Sequence, residues 1–151
     1  MRLFSVMVTC LFLVLGMMAV PTYASGFSDS IVISQSVTKV DDDSYYLETI
    51  SIPAIQSYSN TKRGTKTAAY VASGTTIYSI SVTGTFNYDG ASSEAISASG
   101  TITTYVDGVS INNRYAYTSG ASAYAFGSVS YNGVTLQKTV TLTCDKDGNL
   151  S

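Results

Sequence analysis

Between Thr76 and Gly90 the chain runs TIYSISVTGTFNYDG, and taken two residues at a time it separates into two sets. Tyr78, Ile80, Val82, Phe86 and Tyr88 form one, and Ser79, Ser81, Thr83, Thr85 and Asn87 the other. Successive side chains of a strand point to opposite faces, whereas helical neighbours on one face lie three or four residues apart. A strict period of two over this length therefore predicts a strand. Its apolar set is expected to face the core and its hydroxyl set to meet water, as in an antiparallel sheet covered on one side. Asp89-Gly90 stops the strand, because this pair readily supplies the positive φ angles of a tight hairpin.

The same alternation returns along the chain. Ile31-Val32-Ile33 opens a short strand, and Tyr46, Glu48, Ile50 and Ile52 lie on one side of a second that ends at Pro53. The segment QSYSNTKRGTKT, Gln56 to Thr67, has no period and is assigned as a loop carrying Lys62, Arg63 and Lys66. Glu94, Ile96, Ala98, Ile102 and Val106 continue one face up to Asp107-Gly108. Val109, Ile111, Tyr115 and Tyr117 lead to Ser119-Gly120, and Asn132-Gly133 joins Ala121–Tyr131 to Val134–Cys144. Short strands between such turns predict an all-β antiparallel β-sandwich, with a small β-barrel as the alternative. The glycines at 90, 108, 133 and 148 are 18, 25 and 15 residues apart, unequal spacings that mark hairpins rather than a solenoid.

The start of the chain has a different character. After Arg2, Leu3 to Val20 is almost wholly apolar, then come Pro21 and the small-residue pattern Thr22-Tyr23-Ala24. Residues 1–24 are expected to be a helical signal peptide cut after Ala24. A retained anchor is the competing reading, since about 20 apolar residues span a bilayer. Residues 25–151 then form a single domain, secreted and without a membrane span once the signal has gone.

Chemistry is easier to exclude than to assign. Without Arg2, seven basic residues (8 − 1) face ten acidic ones, a net charge of −3 that does not suit nucleic acid. The chain has no histidine, which removes Ser-His-Asp and Cys-His catalysis and most zinc sites. A glycosidase needs two carboxylates, and Glu48, Glu94, Asp89 and Asp107 are the candidates, but no spacing marks a pair. No catalytic residue and no cofactor are assigned. Asp41-Asp42-Asp43 and Asp145-Lys146-Asp147-Gly148-Asn149 offer carboxylates for calcium; the second begins like a calcium loop but lacks its downstream Glu. Both are taken as solvated turns, and no metal is expected.

Tyrosines are the remaining binding candidates. Eleven follow residue 24 and no Trp accompanies them. Tyr115 and Tyr117 share a period-two face with Ile111, opposite Arg114, and are placed in the core. Tyr105 and Tyr124 fall opposite Ile102-Val106 and Val129 and are expected to be exposed. With Lys62, Arg63 and Lys66, whose loop suits an anionic polymer or membrane, they form the candidate binding set. Cys144, the one cysteine after the signal, shares a face with Leu136, Val140 and Leu142 and is expected to be buried and unreactive, with a disulfide between two chains as the alternative.

The run YVASGTTIYSISVTGTFNYDG and the ending KTVTLTCDKDGNLS, with its L-T-C-x-x-x-G-x-L-S pattern, resemble a group of small exported, uncharacterised proteins of Gram-positive bacteria. The resemblance implies export and an all-β domain and carries no activity over. Members tend to have a second cysteine where this chain has Ser92-Ser93-Glu94, so no disulfide partner for Cys144 is carried over either. The expected function is that of an exported, non-enzymatic β-sandwich binding a cell-surface polymer or a partner protein. The alternatives are a carboxylate-dependent glycan hydrolase and a secreted toxin or pore former, since alternating hairpins can turn an apolar face to lipid.

Overall fold

The computed structural model describes residues 29–55 and 60–151. The expected signal peptide lies outside the described residues, as does part of the segment assigned as a loop. Among the described residues eight antiparallel strands follow in order: β1 (Ser30–Lys39), β2 (Ser44–Pro53), β3 (Thr61–Ala72), β4 (Thr75–Tyr88), β5 (Ser93–Thr104), β6 (Ser110–Ser119), β7 (Ser122–Tyr131) and β8 (Val134–Thr143). The first five form one sheet in chain order and the last three a second. β7 and β8 lie over β3, β4 and β5. The architecture is an antiparallel β-sandwich, not a closed barrel. Among the described residues no helix is long and apolar enough to cross a membrane.

β4 is the strand that the alternation predicts. Tyr78, Ile80, Val82 and Phe86 are buried on its inner face and Tyr88 is half-buried. The hydroxyl set is spent on neighbouring strands: Thr83 and Thr65 hydroxyls lie 2.8 Å apart, as do those of Ser81 and Thr67. Such cross-strand hydroxyl pairs stabilise the sheet itself. The two sheets approach closely because β7 presents only small groups inward near its middle. A Cβ added at Gly127 would lie 2.5 Å from Ile80 Cδ1, inside van der Waals contact, so any side chain there has to displace that of Ile80.

Toward β2 the core becomes polar. The Tyr46 and Tyr78 hydroxyls are 2.7 Å apart in a buried site, with the Tyr70 ring 5.4 Å and 5.5 Å from theirs. Beside them Glu48 accepts Lys138 of β8 at 2.8 Å and faces Lys66 of β3 at 3.7 Å. The Lys138 ammonium also sits 4.7 Å above the Tyr46 ring. Burial acts to raise the Glu48 carboxyl, but the two lysines outweigh it and hold the group below its ordinary range.

The closing motif of the chain turns back on itself. Cys144 bridges to Leu150, and Thr143 and Ser151 exchange backbone hydrogen bonds. Leu150 lies over Gly64, where a side chain would collide with it. Cys144 is 1% exposed, and burial, with Asp145 adding, pushes its thiol up. Ser93 donates its hydroxyl to the Cys144 carbonyl. The ending from Leu142 to Ser151 is therefore a packed clasp.

Several expectations need correction. The segment 56–67 is not all loop: β3 begins at Thr61. Lysines at inward positions hide its period, because their aliphatic stems can pack while the ammonium groups reach water or a carboxylate. Asp107-Gly108 marks the crossing from one sheet to the other, not a hairpin. Glu94 and Ile96 do not share the face of Ala98 and Ile102. A bulge at Ile96 leaves that residue exposed and puts Ala95 opposite Phe86 in the core. An extra residue in one strand reverses the parity beyond it.

Candidate binding face

The same device reshapes β6. Ile111 pairs with Val129, which points into the core, but the register then skips Asn112, so Asn113 faces Ser128 and Tyr115 faces Phe126. Asn112 turns its amide to the Ser130 hydroxyl at 2.7 Å. Past this bulge Tyr115 and Tyr117 stand on the outer face of the three-stranded sheet, 52% and 46% exposed. This overturns their placement in the core: the period-two count from Ile111 crosses a bulge that adds one residue.

Across the strand pair, Tyr117 stacks on Tyr124 with centroids 4.7 Å apart and planes 8° from parallel. Tyr115 stacks on Phe126 at 4.9 Å and 21°, and the two tyrosines lie 6.1 Å apart along β6. A ring separation close to the spacing of adjacent strands, about 4.8 Å, means that the rings stand up from the sheet side by side. They form a two-by-two ladder, half covered by its own members and half open to water.

The ladder continues into hydroxyl and amide groups. On β8, Thr139 is opposite Phe126 and Thr141 opposite Tyr124, while Gln137 pairs with Ser128. At the other end Ser122 and Thr143 hydroxyls are 2.8 Å apart. From Asn113 to Thr143 no residue on this face carries a charge. Four aromatic rings bordered by neutral donors and acceptors can offer flat apolar contact and hydrogen bonds together.

The other candidate residues are dispersed. Tyr124 belongs to the ladder, half-buried beneath Tyr117. Tyr105 is exposed just beyond β5, its hydroxyl 3.2 Å from Ser79 on the outer face of the five-stranded sheet, the opposite side of the sandwich. Lys62, Arg63 and Lys66 are strand residues and do not make one basic loop. Lys62 and Lys66 alternate with inward-facing Gly64 and Ala68, and Lys66 pairs with Glu48. Arg63 points outward, opposite Thr85. The signal that separates them is the parity of β3, which the missing apolar residues concealed.

Most carboxylates with a described partner serve local structure. Asp89 accepts the Ser92 and Ala91 N–H groups at 2.7 Å and 2.9 Å, which hold its carboxyl below the usual range. Asp145 takes the Asn149 side chain and backbone N–H and the Asp147 N–H, each at 2.8 Å, with the same effect. The loop that begins like a calcium site thus uses its first carboxylate to close itself. An open cleft of about 450 Å³ beside the β4–β5 hairpin is lined by Asn87, Asp89, Ser93 and Glu94 among others. Its Asp89 is committed to the turn, which leaves Glu94 as the uncommitted acid. No family model, curated protein or solved structure matches the chain.

Proposed function

We propose that this chain is an exported, non-catalytic binding module whose β6–β7 face holds a cell-surface polymer, a neutral glycan by the chemistry of that face. The observation that carries this reading is the exposed ladder of Tyr115, Tyr117, Tyr124 and Phe126. Sugar rings present C–H surfaces that pack on aromatic groups and hydroxyls that exchange hydrogen bonds with Thr, Asn and Gln. The lack of charge on the face favours a neutral ligand over a polyanion. Absence of histidine and the engagement of Glu48, Asp89 and Asp145 support a non-catalytic role. Export rests on the character of residues 1–24.

The test is co-sedimentation with purified cell-wall polysaccharide, together with tyrosine fluorescence, which no Trp obscures. Tyr115→Ala and Tyr117→Ala should each weaken binding about tenfold, the equivalent of about 1.4 kcal/mol for one stacked ring. Tyr105→Ala should leave binding unchanged, and added salt should have little effect because exposed charge is not used. Unchanged affinity in both ladder variants would refute the site. Release of sugar fragments by the purified protein would refute the non-catalytic reading.

A further inference from the structure

β1 is the outermost strand of the five-stranded sheet, and all ten of its residues are exposed. Along its free edge it pairs with nothing among the described residues. Natural sheets usually guard such an edge with proline, central charges or brevity. β1 contains no proline and no charge before Lys39, and Ile31, Val32, Ile33 and Val37 are 45–62% exposed. A bulge between Val32 and Ser34 interrupts it, but from Ser34 to Lys39 the register runs unbroken.

The charges sit at the two ends. Asp29 precedes the strand and Lys39 closes it. In an antiparallel self-pair each Lys39 reaches the Asp29 end of the other copy, whereas a parallel pair would set like charges together. The strand is thus its own electrostatic complement in one orientation. Lys39 otherwise holds Asp42 at 3.0 Å in a pair exposed on both sides, a contact of little worth in water.

We infer that β1 is the contact through which two copies of this chain join, edge to edge and antiparallel, across a twofold axis. Their five-stranded sheets become one sheet of ten. The contact uses up both free edges and so closes at two copies. The tyrosine ladder is on the other sheet, so both ladders stay open in the pair. The inference stands apart from what the ladder binds.

Sedimentation velocity of the full chain over a range of concentrations tests it, with hydrogen exchange of the β1 amides measured on the same samples. A monomer–dimer equilibrium is expected, with β1 amides protected only at high concentration. Val32→Lys/Val37→Lys places four lysines along the shared seam and should weaken the dimer at least about tenfold. Both residues are exposed, so an unchanged far-UV spectrum shows that the fold is intact. Asp29→Lys should also weaken it, and Asp29→Lys/Lys39→Asp should restore it. A monomer at every concentration overturns the inference, as does a dimer insensitive to these substitutions. Protection of β1 that is equal at all concentrations would overturn it too, by showing that the chain's own remaining residues cover the edge.

Discussion

Removing the Tyr46 hydroxyl alone should cost more than removing both hydroxyls of the Tyr46–Tyr78 pair. The two oxygens are 2.7 Å apart and buried, with Tyr78 0% and Tyr46 7% exposed. Tyr46→Phe leaves the Tyr78 hydroxyl without a partner where water does not reach, a penalty of about 2 kcal/mol within the range for an orphaned buried group. Tyr78→Phe leaves the Tyr46 hydroxyl nearer the surface, and about 1 kcal/mol is expected. In Tyr46→Phe/Tyr78→Phe nothing is orphaned, and the loss should fall back to about 1 kcal/mol, the net worth of one hydrogen bond. Additivity would give about 3 kcal/mol, so the cycle carries a coupling of about 2 kcal/mol. Urea unfolding followed by far-UV circular dichroism resolves that difference. Additive losses, or a Tyr46→Phe variant as stable as the parent, would refute the reasoning. An alkaline limb checks it independently. Burial pushes both phenols above their usual range, so the folded state keeps protons that the unfolded state loses above about pH 10. Stability from this source is complete below that pH and falls as pH rises through it, and the double variant should show a shallower fall.

Three further outcomes follow from the packing. Glu48→Gln should destabilise the domain by about 1–3 kcal/mol, since it leaves Lys66 and Lys138 half-buried without their counter-charge. Because the Glu48 carboxyl is held low, its contribution is present above about pH 4.3, its ordinary value, and is lost as pH falls further; acid unfolding curves of parent and variant should converge there. Gly127→Val should cost about 1–3 kcal/mol, because its side chain overlaps those of Ile80 and Ile102, which have to leave their packed positions; Thr139→Val, on the outer face opposite Phe126, is the matched control and should stay within about 0.5 kcal/mol. Thiol titration of the chain without residues 1–24, which carry Cys10, should find Cys144 nearly silent in the native protein and reactive in denaturant, and fast native reaction would contradict its burial.

β4 was legible because from Tyr78 to Tyr88 each of its inward positions is either a large apolar residue or a glycine, with polar residues between them, and because its register with β3 and β5 is unbroken from Tyr78 to Thr85. The misplaced faces of β5 and β6 share one physical origin. A period of two encodes a face only while the register is unbroken, and a bulge inserts a residue without any mark in composition. Ile96 and Asn112 are such residues, and each reverses the faces of what is counted past it. At Ile96 the result is a small core residue, Ala95, in place of a large one. At Asn112 the consequence bears on the proposed binding face. Had the register held from Ile111, Tyr115 and Tyr117 would lie between the sheets opposite Ala125 and Ala123, which are 1% and 0% exposed and already packed against the facing sheet. The small residues of β7 therefore contain the information that the tyrosines of β6 must turn outward. It is a constraint between strands, invisible to a count along either one. The β6 half of the ladder, the feature on which the proposed binding role rests, thus exists because the small inward residues of β7 leave those tyrosines no room between the sheets and a single extra residue delivers them to the surface.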